Sequence, residues 1–308
     1  MGRGAAPGKE MGLVMVGTAS WTDPTLLSSG WYPAEARDPD SRLRYYAAHF
    51  PLVEIDATYY ALPRRENAER WAERTPAEFV FDCKAFRLFT QHPSAPSALP
   101  LDLRPPAGRE REEKIYYRDL AEEIRQELWK RFREGLAPLR EAGKLGVVLL
   151  QFPPWFGCRP ENRYHLMHCA EKLEGFRIAV EFRHGSWFSG ERAQATLRWE
   201  AEQGWVHVVV DEPQGTRASI PAVWASPVPE VAVVRLHGRN RDTWMARNLS
   251  SAADRFRYLY GDAELREIAA GVRSLRASRV HVLFNNCYRD YGVRNAARLQ
   301  EILAGTGA

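Results

Sequence analysis

The sequence has no stretch of about eighteen apolar residues, so no membrane-spanning helix is expected. Its four cysteines, Cys83, Cys158, Cys169 and Cys287, form no CxxC pair and have no zinc-ribbon spacing. This argues against a disulfide framework or a structural zinc site, and a reduced, cytoplasmic protein is expected. Lysine is scarce, with only six residues, and the formal net charge is +4 over 308 residues. So mild a charge permits an anionic partner but does not argue for one. The opening "MGRGAAPGKEMG" has no apolar core and is not a signal peptide; residues 1–11 are expected to be a disordered leader to a single domain over 12–308. No Walker loop, GxGxxG, GxSxG, HExxH or internal repeat is found, which removes the usual support for ATPase, Rossmann oxidoreductase, serine hydrolase and zincin readings.

The chain does contain eight short β-like runs. They are "GLVMVGTAS" (12–20), "LVEIDATYY" (52–60), "FVFDCKA" (79–85), "LGVVLLQF" (145–152), "RIAVEF" (177–182), "WVHVVVD" (205–211), "VAVVRLHG" (231–238) and "VHVLFNN" (280–286). Helical patterns such as "AERWAERT" (68–75) and "REIAAGVRSLRA" (266–277) lie between most of them. Strands alternating with helices imply parallel pairing through right-handed crossovers, and eight such units in this length predict a (β/α)8 TIM barrel. The third connection is unusually long: 91–114 is rich in proline and charge and precedes a helical pattern over 117–139. It is a candidate lid, or else a surface excursion, and 212–230 is a second candidate wall.

Alternation assigns the strand faces. Interior positions are predicted to be Glu54, Asp56 and Thr58; Val80, Asp82 and Lys84; Val147, Leu149 and Gln151; and Val231, Val233, Arg235 and His237. On the remaining strands they are Glu181 and Arg183, then His207, Val209 and Asp211, then His281, Leu283 and Asn285. The interior face thus turns polar toward the C-terminal strand ends, where barrel active sites lie. A ring of many ionisable groups is costly to bury unless the groups are paired or used. For any single member, a neutralising ion pair that merely fills space is an even alternative.

At this point a family pattern becomes visible in "VGTASWTDP" (16–24), "VEIDATYYALP" (53–63), "FDCKAFRLFTQHP" (81–93), "GKLGVVLLQFPPWF" (143–156), "VEFRHGSWF" (180–188), "VVRLHGRN" (233–240) and "VLFNNCYRDYGVRNA" (282–296). Together they resemble the domain-of-unknown-function 72 family, and the resemblance implies a TIM-barrel fold from the first strand to the last helix. It supplies no established reaction, so the chemistry is argued from residues. Asp56 stands where that family commonly has Asn, and "NNCYRDYG" is longer than the usual polar turn.

Lys84, Arg183 and Arg235 can converge on one anion, and arginine suits bidentate phosphate or carboxylate recognition. Glu54, Glu181, Asp211 and His237 are the candidate catalytic groups for acid–base work. Gln151, Asn285 and Asn286 are candidates to orient a polar ligand, and Tyr59 and Trp187, with Trp21 and Tyr60, to form an aromatic rim. Glu54, Glu181, Asp211 and His237 are also the ligands a divalent ion would use. Three cations sharing the mouth repel such an ion, so neither a metal nor a cofactor is expected. Three readings stand: a metal-independent, hydrolase-like enzyme on an anionic, phosphorylated or nucleotide-like substrate, which is favoured; a glycosidase-like hydrolase pairing Glu54 with Glu181; and a non-catalytic nucleic-acid-binding barrel.

Overall fold

Each of the eight apolar runs forms a strand in the computed structural model, which describes residues 12–104, 114–216, 219–244, 246 and 252–306. The strands are β1 (Leu13–Thr18), β2 (Leu52–Ile55), β3 (Val80–Lys84), β4 (Leu145–Gln151), β5 (Ile178–Glu181), β6 (Val206–Asp211), β7 (Val231–Leu236) and β8 (Arg279–Phe284). They pair in parallel in chain order, and β8 closes on β1. This is the (β/α)8 barrel that the alternation implied. The leader proposed for residues 1–11 lies outside the described residues.

The helices cover the barrel. After β1 come α1 (Pro24–Leu27) and α2 (Pro39–His49), and after β2 come α3 (Ala57–Tyr60) and α4 (Arg65–Glu73). Next are α5 (Glu122–Glu141), α6 (Pro160–Lys172) and α7 (Arg192–Gln203), following β3, β4 and β5. Then α8 (Arg241–Trp244) and α9 (Asp262–Ser274) follow β7, and α10 (Tyr291–Ala304) follows β8. The long helix α5 buries Leu128, Trp129, Phe132, Leu136 and Leu139, one stripe of an amphipathic helix. Trp129 stacks on Phe89 at 3.5 Å between ring centroids, which anchors the start of the long β3–α5 connection. Part of that connection, 105–113, lies outside the described residues. Among the described residues, the β6–β7 connection contains no helix, and no helix is long and apolar enough to cross a membrane.

Register fixes which side chains enter the barrel, because aligned partners on parallel neighbours share a face. Glu54 stands beside Asp82, Gln151 beside Glu181 and Arg235 beside Leu283, all on the interior face. One face assignment is reversed. Val210, not Asp211, stands beside Arg235, and Asp211 stands beside the helix-facing Leu236. His207, Val209 and Asp211 therefore point toward the helices. His207 pairs there with buried Glu200 of α7, Nδ1 to Oε2 at 3.0 Å. The physical reason is that β6 is apolar on both faces, so its alternation carries little phase. Its next interior position is Glu212.

Below the mouth the interior holds a second polar pair. Asp82 lies 2.9 Å from His281 Nδ1 across the barrel and accepts a hydrogen bond from the Val147 backbone N–H at 2.9 Å. An irregularity between Phe81 and Cys83 opens the β3–β4 ladder at that point. Gly146 makes the room: a Cβ there would lie 2.2 Å from Asp82 Oδ1. All four cysteines are free thiols, and Cys83 is buried on the helix-facing side of β3.

Candidate functional site at the barrel mouth

Arg235 forms the floor of the mouth. Its side chain rises from β7 and is wholly buried. Nε and Nη2 donate to the two oxygens of Glu54 at 2.8 and 2.7 Å, so β7 is clamped across the barrel to β2. Nη1 donates to Gln151 Oε1 at 3.0 Å and to Glu181 Oε2, tying in β4 and β5. Burial alone would raise the Glu181 carboxyl, but Arg235, His237 and Arg183 hold it well below the usual range. Burial prevails at Glu54 and pushes it up to about 7 despite Arg235 and Lys84. The floor is thus an ion-pair layer that seals the barrel.

Above it lies a pocket of about 260 Å³ whose walls include Lys84, Gln151, Arg183, His237, Arg255 and Asn285. Trp244 and Phe256 close one side, and Pro154 the other. Among the described residues, those lining the pocket include no carboxylate. Arg183 is oriented from below and behind: Nη1 donates to Glu181 Oε1 at 2.9 Å, and Nη2 donates to Glu212 Oε2. Its guanidinium lies 5.4 Å from the centroid of Trp244. Lys84 donates to Asp56 Oδ1 at 2.8 Å and sits 4.4 Å over the Tyr59 ring. Burial works against its charge, but the Asp56 carboxylate more than offsets this and holds the ammonium above its usual value. Arg255 Nη2 donates to the Ala246 carbonyl at 2.9 Å.

His237 is the titratable ring on the wall. Burial lowers it to about 3, although Glu181 acts in the opposite sense. Its Nε2 lies 3.2 Å from Glu181 Oε1, and Asn285 Nδ2 lies 2.8 Å from its Nδ1. Nε2 also lies 3.1 Å from Arg183 Nη1, so this nitrogen either donates to Glu181 or accepts from Arg183, and the tautomer decides which.

Of the residues singled out in the sequence, Lys84, Gln151, Arg183, His237 and Asn285 meet in this pocket, and Tyr59 lies at its edge under Lys84. Glu54, Glu181 and Arg235 lie beneath it. Three others are elsewhere. Asp211 faces outward, where it takes Arg239 and the Tyr260 hydroxyl, the latter at 2.7 Å. Asn286 Nδ2 donates to the Tyr258 carbonyl and to Asn295 Oδ1, holding the β8–α10 turn to its neighbours. Trp187 is no rim residue: it is fully buried, stacks on Phe182 at 4.0 Å and donates to the Phe156 carbonyl at 2.7 Å. Trp21 is likewise buried, while Tyr60 is exposed. Glu212, Trp244, Arg255 and Phe256 went unnoticed in the sequence. Glu212 follows from the correct phase of β6, and the other three sit in the long segment between β7 and α9. Among the described residues, no three His, Cys, Asp or Glu side chains are grouped to hold a metal ion.

Comparison with known proteins places this geometry in a family. The profile of the family described as "Protein of unknown function DUF72" matches residues 15–308. The chain is 32% identical to the UPF0759 protein YunF of Bacillus subtilis (strain 168) over 295 residues, covering 94% of this chain and 95% of that protein. It is 30% identical to the UPF0759 protein YecE of Escherichia coli (strain K12) over 201 residues, covering 65% of this chain and 59% of that one. The crystal structure of a DUF72 family protein from Enterococcus faecalis V583 superposes with a TM-score of 0.77 at 27% identity, covering 95% of this chain and 96% of that chain. One from Thermotoga maritima MSB8 gives 0.72 at 27% identity, covering 95% and 99%. The barrel closed by β1 to β8, with its polar mouth at the strand ends, belongs to a member of the DUF72 family.

Proposed function

We propose that the protein is a metal-independent enzyme of hydrolytic type acting on a small anionic substrate, phosphorylated or nucleotide-like, at the C-terminal mouth of the barrel. The observation that carries this reading is the segregation of charge. Three cations, Lys84, Arg183 and Arg255, line the pocket, while the carboxylates Glu54, Glu181 and Glu212 are buried behind or beneath it. An anion entering the pocket meets the Arg183 and Arg255 donors with those three carboxylates behind them. Among the described residues it meets like charge only at Asp56, which pairs with Lys84.

In this reading Arg183 and Arg255 hold the anionic group, and Gln151 and Asn285 orient it. His237 serves proton transfer. In the tautomer protonated at Nε2, a water or substrate hydroxyl that displaces Asn285 from Nδ1 meets an unprotonated nitrogen. Glu181 at Nε2 stabilises the imidazolium formed when that nitrogen takes the proton, against the opposing Arg183 Nη1 at 3.1 Å. Bound anionic charge favours the same imidazolium and moves His237 toward neutral pH. The paired-carboxylate alternative has less support, because Glu54 and Glu181 both converge on Arg235 and neither lines the pocket.

The test is a thermal melt across an inorganic phosphate series at fixed ionic strength for wild type, Arg183→Ala and Arg255→Ala. Phosphate is expected to raise the wild-type melting temperature by mass action and to lose most of that effect in both variants. An equal response in all three removes the anion site. Turnover of phosphomonoesters or phosphodiesters, unaffected by a chelator, is the second expected result. Salt-sensitive binding of nucleic acid without turnover supports the non-catalytic reading in its place.

A further inference from the structure

A second pocket, of about 460 Å³, opens on the same face of the barrel. Gln91, Tyr116 and Arg118 come to it from the β3–α5 connection, Trp155 from the loop after β4, and Asn162 and His165 from the first turns of α6. The two pockets share one wall. In the run Pro153–Phe156, Pro154 lines the mouth and Trp155 lines the second pocket. A row of rings leads from one to the other. Lys84 sits over Tyr59, Tyr59 meets His92 at 5.4 Å between centroids, and His92 meets Trp155 at 6.0 Å.

Resting on the anionic-substrate reading above, we propose that this second pocket is a subsite for a planar heteroaromatic ring carrying N–H donors, joined in the same substrate to the anion held in the mouth. Three observations support it. Trp155 is 60% exposed at the ridge, so its face is available for stacking. Beside the Arg118 guanidinium and the Tyr116 and Tyr117 hydroxyls, the wall offers fixed acceptors. His165 is held neutral, lowered to about 4 by burial, and its Nε2 is committed to the Phe89 carbonyl at 2.8 Å, which leaves Nδ1 as the acceptor. Asn162 Nδ2 is committed to the Gly157 carbonyl at 2.8 Å, which leaves Oδ1. Glu161 adds a carboxylate to the same wall. An edge that accepts from several directions fits a ring with an amino group, as adenine has. Finally, Gln91 has φ 62, a left-handed conformation that is uncommon for a non-glycine residue. That residue lies on the pocket wall.

The subsite makes Trp155 a specificity residue, and its role is separable from the mouth. Calorimetric titrations at fixed ionic strength with inorganic phosphate, adenosine and adenosine 5′-monophosphate, on wild type, Trp155→Ala, Trp155→Phe and Arg183→Ala, decide it. The monophosphate is expected to bind wild type more tightly than phosphate does, and to lose about tenfold or more in Trp155→Ala, the usual weight of one base stacked on an aromatic side chain. Phosphate affinity is expected to be unchanged in Trp155→Ala, and Trp155→Phe to recover most of the loss. Adenosine binding is expected to survive in Arg183→Ala. Equal monophosphate affinity in wild type and Trp155→Ala overturns the subsite even where phosphate still fills the mouth. Adenosine binding that depends on Trp155, with no phosphate binding at all, keeps the subsite and overturns the mouth reading.

Discussion

Arg235 makes the strongest demand of any single residue. Its guanidinium and the carboxylates of Glu54 and Glu181 are all fully buried, so each is tolerated only because the others are present. Arg235→Ala strands two carboxylates in the interior and is expected to destabilise the fold by about 3–5 kcal/mol, read as a lower urea midpoint. Arg235→Met with Glu54→Gln and Glu181→Gln is expected to recover much of that loss, because it removes the charges together. If the single substitution leaves the midpoint unchanged, the layer is not closed to solvent. Glu181 and Arg183 were legible in the sequence because β5 sets apolar Ile178, Val180 and Phe182 against Ala179, Glu181 and Arg183, which gives the strand a clear phase. Asp211 was misplaced because Val206, Val208, Val209 and Val210 make both faces of β6 apolar. Trp244 and Arg255 lie outside any strand, where no alternation marks them.

At the scale of elements, β3 and β4 are joined through an irregularity rather than a plain ladder. Asp82 stands in for a backbone acceptor at Val147 N–H and reaches His281 on β8. Gly146→Ala pushes a methyl group into Asp82 Oδ1, which is held by the Val147 N–H and by His281 Nδ1. The substitution is expected to break the Val147 bond and to cost about 1–3 kcal/mol, the range for leaving a buried polar group unsatisfied. Amide exchange at Val147 checks this: protection there should fall in the variant while the helix α5 stays protected. All eight strands were legible because interior parallel strands are short, nearly unbroken apolar runs between breakers. Connections were less so. Length drew attention to 91–114 and 212–230, yet the segment between β7 and α9 supplies the aromatic and cationic wall of the mouth. Its residues carry no period, and their convergence depends on how the connection folds back over the barrel.

For the whole molecule, buried and half-buried histidines set the response to acid. His237 and His92 are each lowered to about 3, and His165 to about 4, chiefly by burial, against 6.5 in the unfolded chain. Stability from these groups is fully present above pH 6.5 and is lost as the pH falls toward their folded values, because the unfolded chain takes up protons that the native state refuses. Glu54 acts in the opposite sense. Raised from 4.5 to about 7, it contributes stability below pH 4.5 that is lost as the pH rises through 7. Between pH 6.5 and 4.5 these imidazoles, joined by His168, which burial also lowers, oppose Glu54 and Glu212, which burial raises, so the melting temperature is expected to fall on acidification through this window. Glu54→Gln is expected to steepen the fall, and His92→Phe to shallow it. A melting temperature that stays level or rises from pH 7 to pH 5 contradicts the assignment.

The clamp between Glu54 and Arg235 spans 181 residues of chain, which ties the candidate site to the order in which the chain is made and closed. Glu54 and Glu181 emerge during synthesis before the arginine that neutralises them. A chain that has formed only its first six strands has Arg183 for Glu181 and Lys84 near Glu54, but lacks the guanidinium that pairs with both carboxylates, and burying them so partly compensated is expensive. Premature collapse of a partial barrel is therefore penalised until β7 arrives, and contacts this distant in sequence form late. The floor of the mouth is then complete only once β7 is in place, so the ligand binding proposed for the mouth would report a barrel that has gained its late strands.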